Sequence, residues 1–235
     1  MLKDLPSYIV ILFILTTVTT LAILYIAIKQ SSLSNTKGTI ILTGLAAWLT
    51  LQAVLSINGV YEDSISMPPA FILAIFPPLL TMIILFTTLS GRKFIDSLPL
   101  SALTWLNTVR IPVEIGLYWL FIHKTIPQLM TFEGRNFDIF SGITAPLIAW
   151  LGFVKNKLPK SVILAWNIIC LLLVLNIVTH GILSVPTRFQ QFAFDQPNIA
   201  VLYFPFVWLP AFIVPVVIFT HFVSIRRLIV KHNEL

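Results

Sequence analysis

Residues 8–28 read YIVILFILTTVTTLAILYIAI, a run with no charge, no glycine and no proline. At about 1.5 Å per residue a helix of that length is roughly 30 Å long, the thickness of the hydrocarbon layer of a bilayer. The run is continuously apolar and lacks the two-residue alternation of barrel strands. A membrane-spanning helix, with its backbone groups bonded internally, is therefore expected. Lys29 and Lys37 follow the run. A secretory signal carries its positive charges ahead of the apolar core, so the segment is read as a retained helix.

Working outward, charged or Pro/Gly-rich breaks bound six more apolar runs, at 38–60, 67–89, 98–121, 137–154, 161–184 and 199–228. The fifth run is short, and Pro112 interrupts the fourth. Seven crossings with short loops use up 235 residues, so residues 1–235 are expected to form a single seven-helix transmembrane domain. With 57% hydrophobic and 10% charged residues, a soluble domain would have more apolar surface than one core can bury. The expected fold class is an all-α polytopic membrane protein whose first partner is the lipid bilayer.

Alternate loops separate the basic residues by side. One side collects Lys29, Lys37, Arg92, Lys93, Lys155, Lys157, Lys160, Arg226, Arg227 and Lys231. The other collects Lys3, Lys124, Arg135 and Arg188 among six acids, Asp4, Glu62, Asp63, Glu133, Asp138 and Asp195. Basic loops face the cytoplasm, which puts the N-terminus outside, the C-terminus inside and the protein in the cell (cytoplasmic) membrane. The net charge of +6 then follows from loop bias, and no nucleic-acid partner is implied.

A faint internal similarity accompanies this layout. Ala47-Trp48 precedes Asn58 by the same interval that separates Ala165-Trp166 from Asn176, and Pro-Ala-Phe-Ile recurs at 69–72 and 210–213. Taken as a repeat, this makes a three-plus-one-plus-three arrangement around an inverting fourth helix, similar in topology to small sugar transporters. The seven-helix, N-outside layout is similar in topology to opsins. The last run has no lysine before Lys231, which excludes a covalently attached retinal.

Ionisable residues deep in a membrane helix cost about 2.5–3.5 kcal/mol each on insertion scales, so they mark function or structural locks. The fourth run alone carries two, Arg110 and Glu114, four apart on one helical face and able to neutralise each other. Asn107 and Tyr118 extend the stripe, which must look into the bundle. Pro112 between the charges frees a carbonyl. In the loop before the fifth run, Glu133, Arg135, Asn136 and Asp138 surround Gly134, which permits a tight turn, and Asp138 is placed to cap the next helix. The functional reading makes this loop an outer lid over the stripe. Asn176 and His180, four apart in the sixth run, and Asn58 at the end of the second are expected to complete a pocket. Prolines 68, 69, 77 and 78, and again 205, 210 and 215, mark the third and seventh runs as kinked.

Several chemistries are absent. The single Cys170 allows no intrachain disulfide and no cysteine metal cluster, and reads as a small buried hydrophobe. No zinc, nucleophile-elbow or phosphate-loop motif occurs. The six tryptophans divide between headgroup anchors and packing residues. The leading expectation is a transporter or binding protein for a small polar solute or ion, with no metal assigned and any cofactor unknown. One alternative is a membrane enzyme or cofactor-binding redox protein in which His123, His180, Glu114 and the 133–138 loop act on a lipid-borne or cofactor-bound substrate, with the two histidines able to ligate a metal or haem. Another is a sensor or assembly factor in which the ion pair only locks the bundle. His221, near Arg226 and Arg227, reads as an interfacial histidine.

Overall fold

Each apolar run carries a helix in the computed structural model of the chain, which describes residues 2, 5–63 and 66–230. Lys3, Asp4 and Lys231, which entered the charge count, lie outside the described residues. The helices are α1 (Ser7–Lys29), α2 (Asn35–Ile57), α3 (Ile72–Thr87), α4 (Leu89–Ser97), α5 (Leu100–Leu106), α6 (Arg110–Ile122), α7 (Ile139–Ala149), α8 (Lys160–Leu183) and α9 (Val214–Val230). No strand occurs among the described residues. A π-helical turn, Leu209–Ile213, leads directly into α9.

Four helical stretches, α1, α2, α8 and Leu209–Val230, are long and apolar enough to cross a membrane. A fifth candidate is α3 with α4, bent by 94° at their junction. Thr88 makes that bend: its backbone is extended, with ψ 148°, and its hydroxyl accepts from the Gly91 N–H at 3.1 Å, capping α4. The fourth apolar run is split, because a 3₁₀ turn at Asn107–Val109 separates α5 from α6. Pro112 then falls in the first turn of α6, where a missing N–H is tolerated. The fifth run ends in a π-helical turn, Trp150–Val154.

Packing centres on the last helix, Leu209–Val230, the most buried of the four long ones, which lies against α8 and α5. Helix α1 covers α5 and α6, while α3 packs on the 209–213 turn. Helix α2 is the least buried and is held by hydrogen bonds from its few inward residues. The Trp48 indole donates to the Ala211 carbonyl and the Trp208 indole to that of Leu49, each at 2.9 Å. Such reciprocal bonds are worth most where water cannot compete. Trp166 donates to Thr144 Oγ1, whereas Trp105 and Trp150 are exposed, so the tryptophans do divide between packing and periphery.

The end of α2 is closed by Tyr61, buried in the Val60–Glu62 turn, whose hydroxyl donates to Gln52 Oε1 at 2.5 Å. Burial pushes the Tyr61 phenol up to about 12, against the opposing pull of the Gln52 hydrogen bond. Because the folded value is raised, the bond is intact below the ordinary tyrosine range and is lost as pH rises through that value. Tyr61→Phe leaves the buried Gln52 amide without a partner, since its Nε2 already has none. The expected cost is about 1–2 kcal/mol by thermal unfolding in detergent, and an unchanged midpoint would show that the bond carries no stability.

At the basic end Arg226 grips Asp96 through two hydrogen bonds of 3.0 Å, tying α9 to α4.

Candidate functional site

Helix α6 turns Arg110 and Glu114 inward, 2% and 1% exposed, but does not pair them with each other. Arg110 Nε lies 3.1 Å from Asp138 Oδ2, and its Nη2 donates to the Cys170 carbonyl of α8 at 3.2 Å. Both Glu114 carboxylate oxygens accept from Asn136 Nδ2, at 2.7 Å each. The expected intrahelical neutralisation is thus corrected to a pairing across the α6–α7 contact. Within a helix, a cation four residues before an acid is the weaker order, since an acid four residues before a cation pairs better. A carboxylate arriving from the facing element is better placed.

Two glycines deliver that element. A Cβ on Gly142 would stand 2.9 Å from Ile111 Cγ1 and 3.0 Å from the Ile111 nitrogen, so α7 touches the α6 backbone here. One turn earlier, that contact sets Asp138 beside Arg110. At Gly134 a Cβ would collide with the Gln128 carbonyl, so the 128–136 loop closes on itself only with glycine there. The closure aims Asn136 inward: its Nδ2 also reaches the Met130 carbonyl at 3.0 Å, and its Oδ1 accepts from the Asp138 N–H at 3.0 Å. Asp138 occupies the residue before α7, but its side chain makes no cap bond. That expectation is also corrected: the carboxylate faces the buried guanidinium, while the Phe140 and Ser141 N–H groups donate to the Phe137 and Asp138 carbonyls.

Of the residues proposed from sequence, Asn107, Arg110, Glu114, Asn136 and Asp138 lie along this buried interior. Asn107 Nδ2 donates to the Leu103 carbonyl at 3.0 Å and to Thr220 Oγ1 of α9 at 3.2 Å. The others lie apart. Tyr118 stacks on Phe132 with ring centroids 4.9 Å apart. Glu133 and Arg135 are exposed, although the Arg135 carbonyl accepts from Asn176 Nδ2 at 2.9 Å and so fastens the loop to α8. His180 bonds to the Asn176 carbonyl of its own helix and stacks on Phe192. Asn58 is exposed and donates to Val54. His123 is exposed at the end of α6, and no group of three His, Cys, Asp or Glu able to hold a metal occurs among the described residues.

Sequence reasoning missed Asn167, Asn198 and the depth of His221. His221 is fully buried inside the bundle, with Nδ1 2.9 Å from Asn167 Oδ1 of α8. Five residues separate it from Arg226, which at 1.5 Å per residue places it about 7.5 Å deeper than the charged end. Asn167 carried the usable signal, an amide in the middle of an apolar run.

Beside the ion pair lies a cavity of about 140 Å³ between α3, α6, α8 and the start of the last helix. Its walls are apolar, including Ile75, Leu117, Ile177 and Leu209, and Met130 from the loop contributes a further side chain. Three polar residues interrupt them, Glu114, Asp138 and Asn198. Asp138 Oδ1 and Asn198 Oδ1 are buried acceptors without a hydrogen-bond partner, while Asn198 Nδ2 is committed to the Gly181 carbonyl at 3.0 Å. The free polar atoms on this wall are therefore acceptors.

No curated protein and no solved structure matches the chain. A family model does match, over residues 67–229, a stretch that runs from the turn before α3 almost to the end of α9 and so contains the ion pair, the Asn136 loop, Asn167, Asn198 and His221. The chain belongs to the family described as Domain of unknown function (DUF8737).

Proposed function

We propose that this is an integral membrane protein that binds a small amphipathic solute at Glu114 and Asp138 and carries it across the bilayer. The observation behind this reading is the lining of the 140 Å³ cavity, apolar except for two carboxylates and an amide oxygen. An apolar cavity near that size accommodates a benzene-sized group. Buried acceptors without a partner, Asp138 Oδ1 and Asn198 Oδ1, select a hydrogen-bond-donating head such as an amine. A fully hydrated ion would give up its water shell for walls that offer few replacements. The loop from Glu133 to Asp138, which places Asn136 on Glu114, is the lid of this reading.

The same reading takes the helical segments as seven crossings, α5 with α6 forming the fourth, with the N-terminus outside and the C-terminus in the cytoplasm of a cell membrane. Its support is the gathering of Lys29, Lys37, Arg92, Lys93, Lys155, Lys157, Lys160, Arg226 and Arg227 at alternate helix ends. A three-plus-one-plus-three repeat fits the two Pro-Ala-Phe-Ile runs, each of which leads into a helix, although Trp48 and Trp166 take different acceptors.

Near-complete burial of Arg110 and Glu114 favours a second reading, a polar lock in a sensor or assembly factor. Binding separates the two. Cyclohexylamine titrated into the full-length protein in detergent, followed by ligand-observed NMR, is expected to bind more tightly than cyclohexanol. Glu114→Gln should weaken amine binding about tenfold or more while the circular dichroism is retained. Equal binding to wild type and Glu114→Gln would sink the solute site and leave the lock. Amine uptake by proteoliposomes that Glu114→Gln leaves undiminished would sink the transport step.

A further inference from the structure

At the basic end of the bundle, remote from the polar core in sequence and lining, a second cleft of about 330 Å³ opens between α5, the Trp150–Val154 turn, α8 and the end of α9. Its size is at the lower end of the range for small-molecule sites, about 300–1,000 Å³. Lys160 and Arg227 line it together with Asn156, against an apolar wall of Leu100, Phe153 and Ile163. Two cations on one concave surface repel each other unless an anion joins them.

Among the described residues neither Lys160 nor Arg227 has a carboxylate at ion-pair distance. The nearby Asp96 is gripped by Arg226 through both of its oxygens. Arg227 directs Nη1 to the Leu98 carbonyl, which fixes the guanidinium in place, and its Nε is buried without a partner. Lys155, which does not line the cleft, is turned over the Trp150 ring at 5.5 Å. The cleft therefore presents one oriented guanidinium and one exposed ammonium above an apolar floor. This arrangement matches phosphate oxygens, which accept from the planar fork of arginine and the point charge of lysine.

We propose that this cleft binds a phosphate-bearing anion, with Arg227 and Lys160 as its partners. Two sources share that chemistry: the headgroup of an anionic phospholipid, whose first chain carbons would lie on Leu100, Phe153 and Ile163, and a soluble phosphate. Basic pockets between membrane helices on the cytoplasmic side bind anionic headgroups in this manner.

Native mass spectrometry of the full-length protein in detergent tests the proposal with three probes: phosphatidylglycerol, phosphatidylcholine and inorganic phosphate. Phosphatidylglycerol is expected to bind more tightly than phosphatidylcholine, and Lys160→Ala should weaken it roughly fivefold. Lys160 is exposed, so this variant does not threaten the fold. Arg227→Gln should weaken it further, with the thermal midpoint recorded alongside because Leu98 loses a donor. Lys160→Arg should restore binding, which a purely structural lysine would not require. If inorganic phosphate competes at millimolar concentration and both cation variants abolish that competition, the soluble source is supported. Equal binding of the two lipids without phosphate competition would overturn the proposal. So would unchanged phosphatidylglycerol binding in a folded Lys160→Ala/Arg227→Gln double variant.

Discussion

Replacing Asp138 by asparagine is expected to lower the unfolding free energy in detergent by about 3–5 kcal/mol, the cost of stranding a buried charge. Arg110 has one carboxylate in contact, 3.1 Å away, with 3% of its side chain exposed. Its remaining protein bond, to the Cys170 carbonyl, supplies a dipole and no countercharge. Asparagine preserves the shape of Asp138 and its backbone bond to Asn136, so the loss is one of charge. The double variant Arg110→Met/Asp138→Asn should recover much of the stability, because removing both charges removes the desolvation penalty. Guanidine or thermal unfolding of the three proteins checks this. A cost below about 1 kcal/mol for Asp138→Asn would show that Arg110 is neutralised by another group.

The second large effect belongs to Gly142. In a helix interior glycine is ordinarily about 1 kcal/mol worse than alanine, so a substitution that adds a side chain should stabilise. Here the sign reverses, because the Ile111 nitrogen already stands 3.0 Å from where a Cβ would be. Gly142→Val is expected to cost about 3 kcal/mol through overpacking. It should also push Asp138 away from Arg110, so combining it with Asp138→Asn should cost less than the sum of the two separate losses. A fully additive double variant would show that the α6–α7 approach does not set the ion pair.

Part of the site was legible without coordinates. Arg110 and Glu114 stand alone among apolar residues of one run, and a spacing of four puts both on the face that lipid cannot accept. Asn136 and Asp138 belong to a polar cluster around a glycine, which marks a shaped loop. His180 and Asn176 have the same spacing as the charged pair, yet they bond to their own helix and to the loop backbone. Histidine and asparagine are cheap enough in such positions that spacing alone does not force them inward. The burial of His221 was not legible, because it depends on α8 setting Asn167 opposite it.

By itself the amino-acid sequence determined the helical, membrane-compatible character of the chain and the burial of the α6 charges, since run length and period are local properties. The tertiary structure alone decided which carboxylate meets Arg110, how deep His221 sits and that the space beside Glu114 is apolar. Those outcomes depend on how closely α7 approaches α6 at Gly142 and on which helices meet around the cavity. Contacts between distant segments are set by shape complementarity across the bundle, and no interval along the chain encodes them.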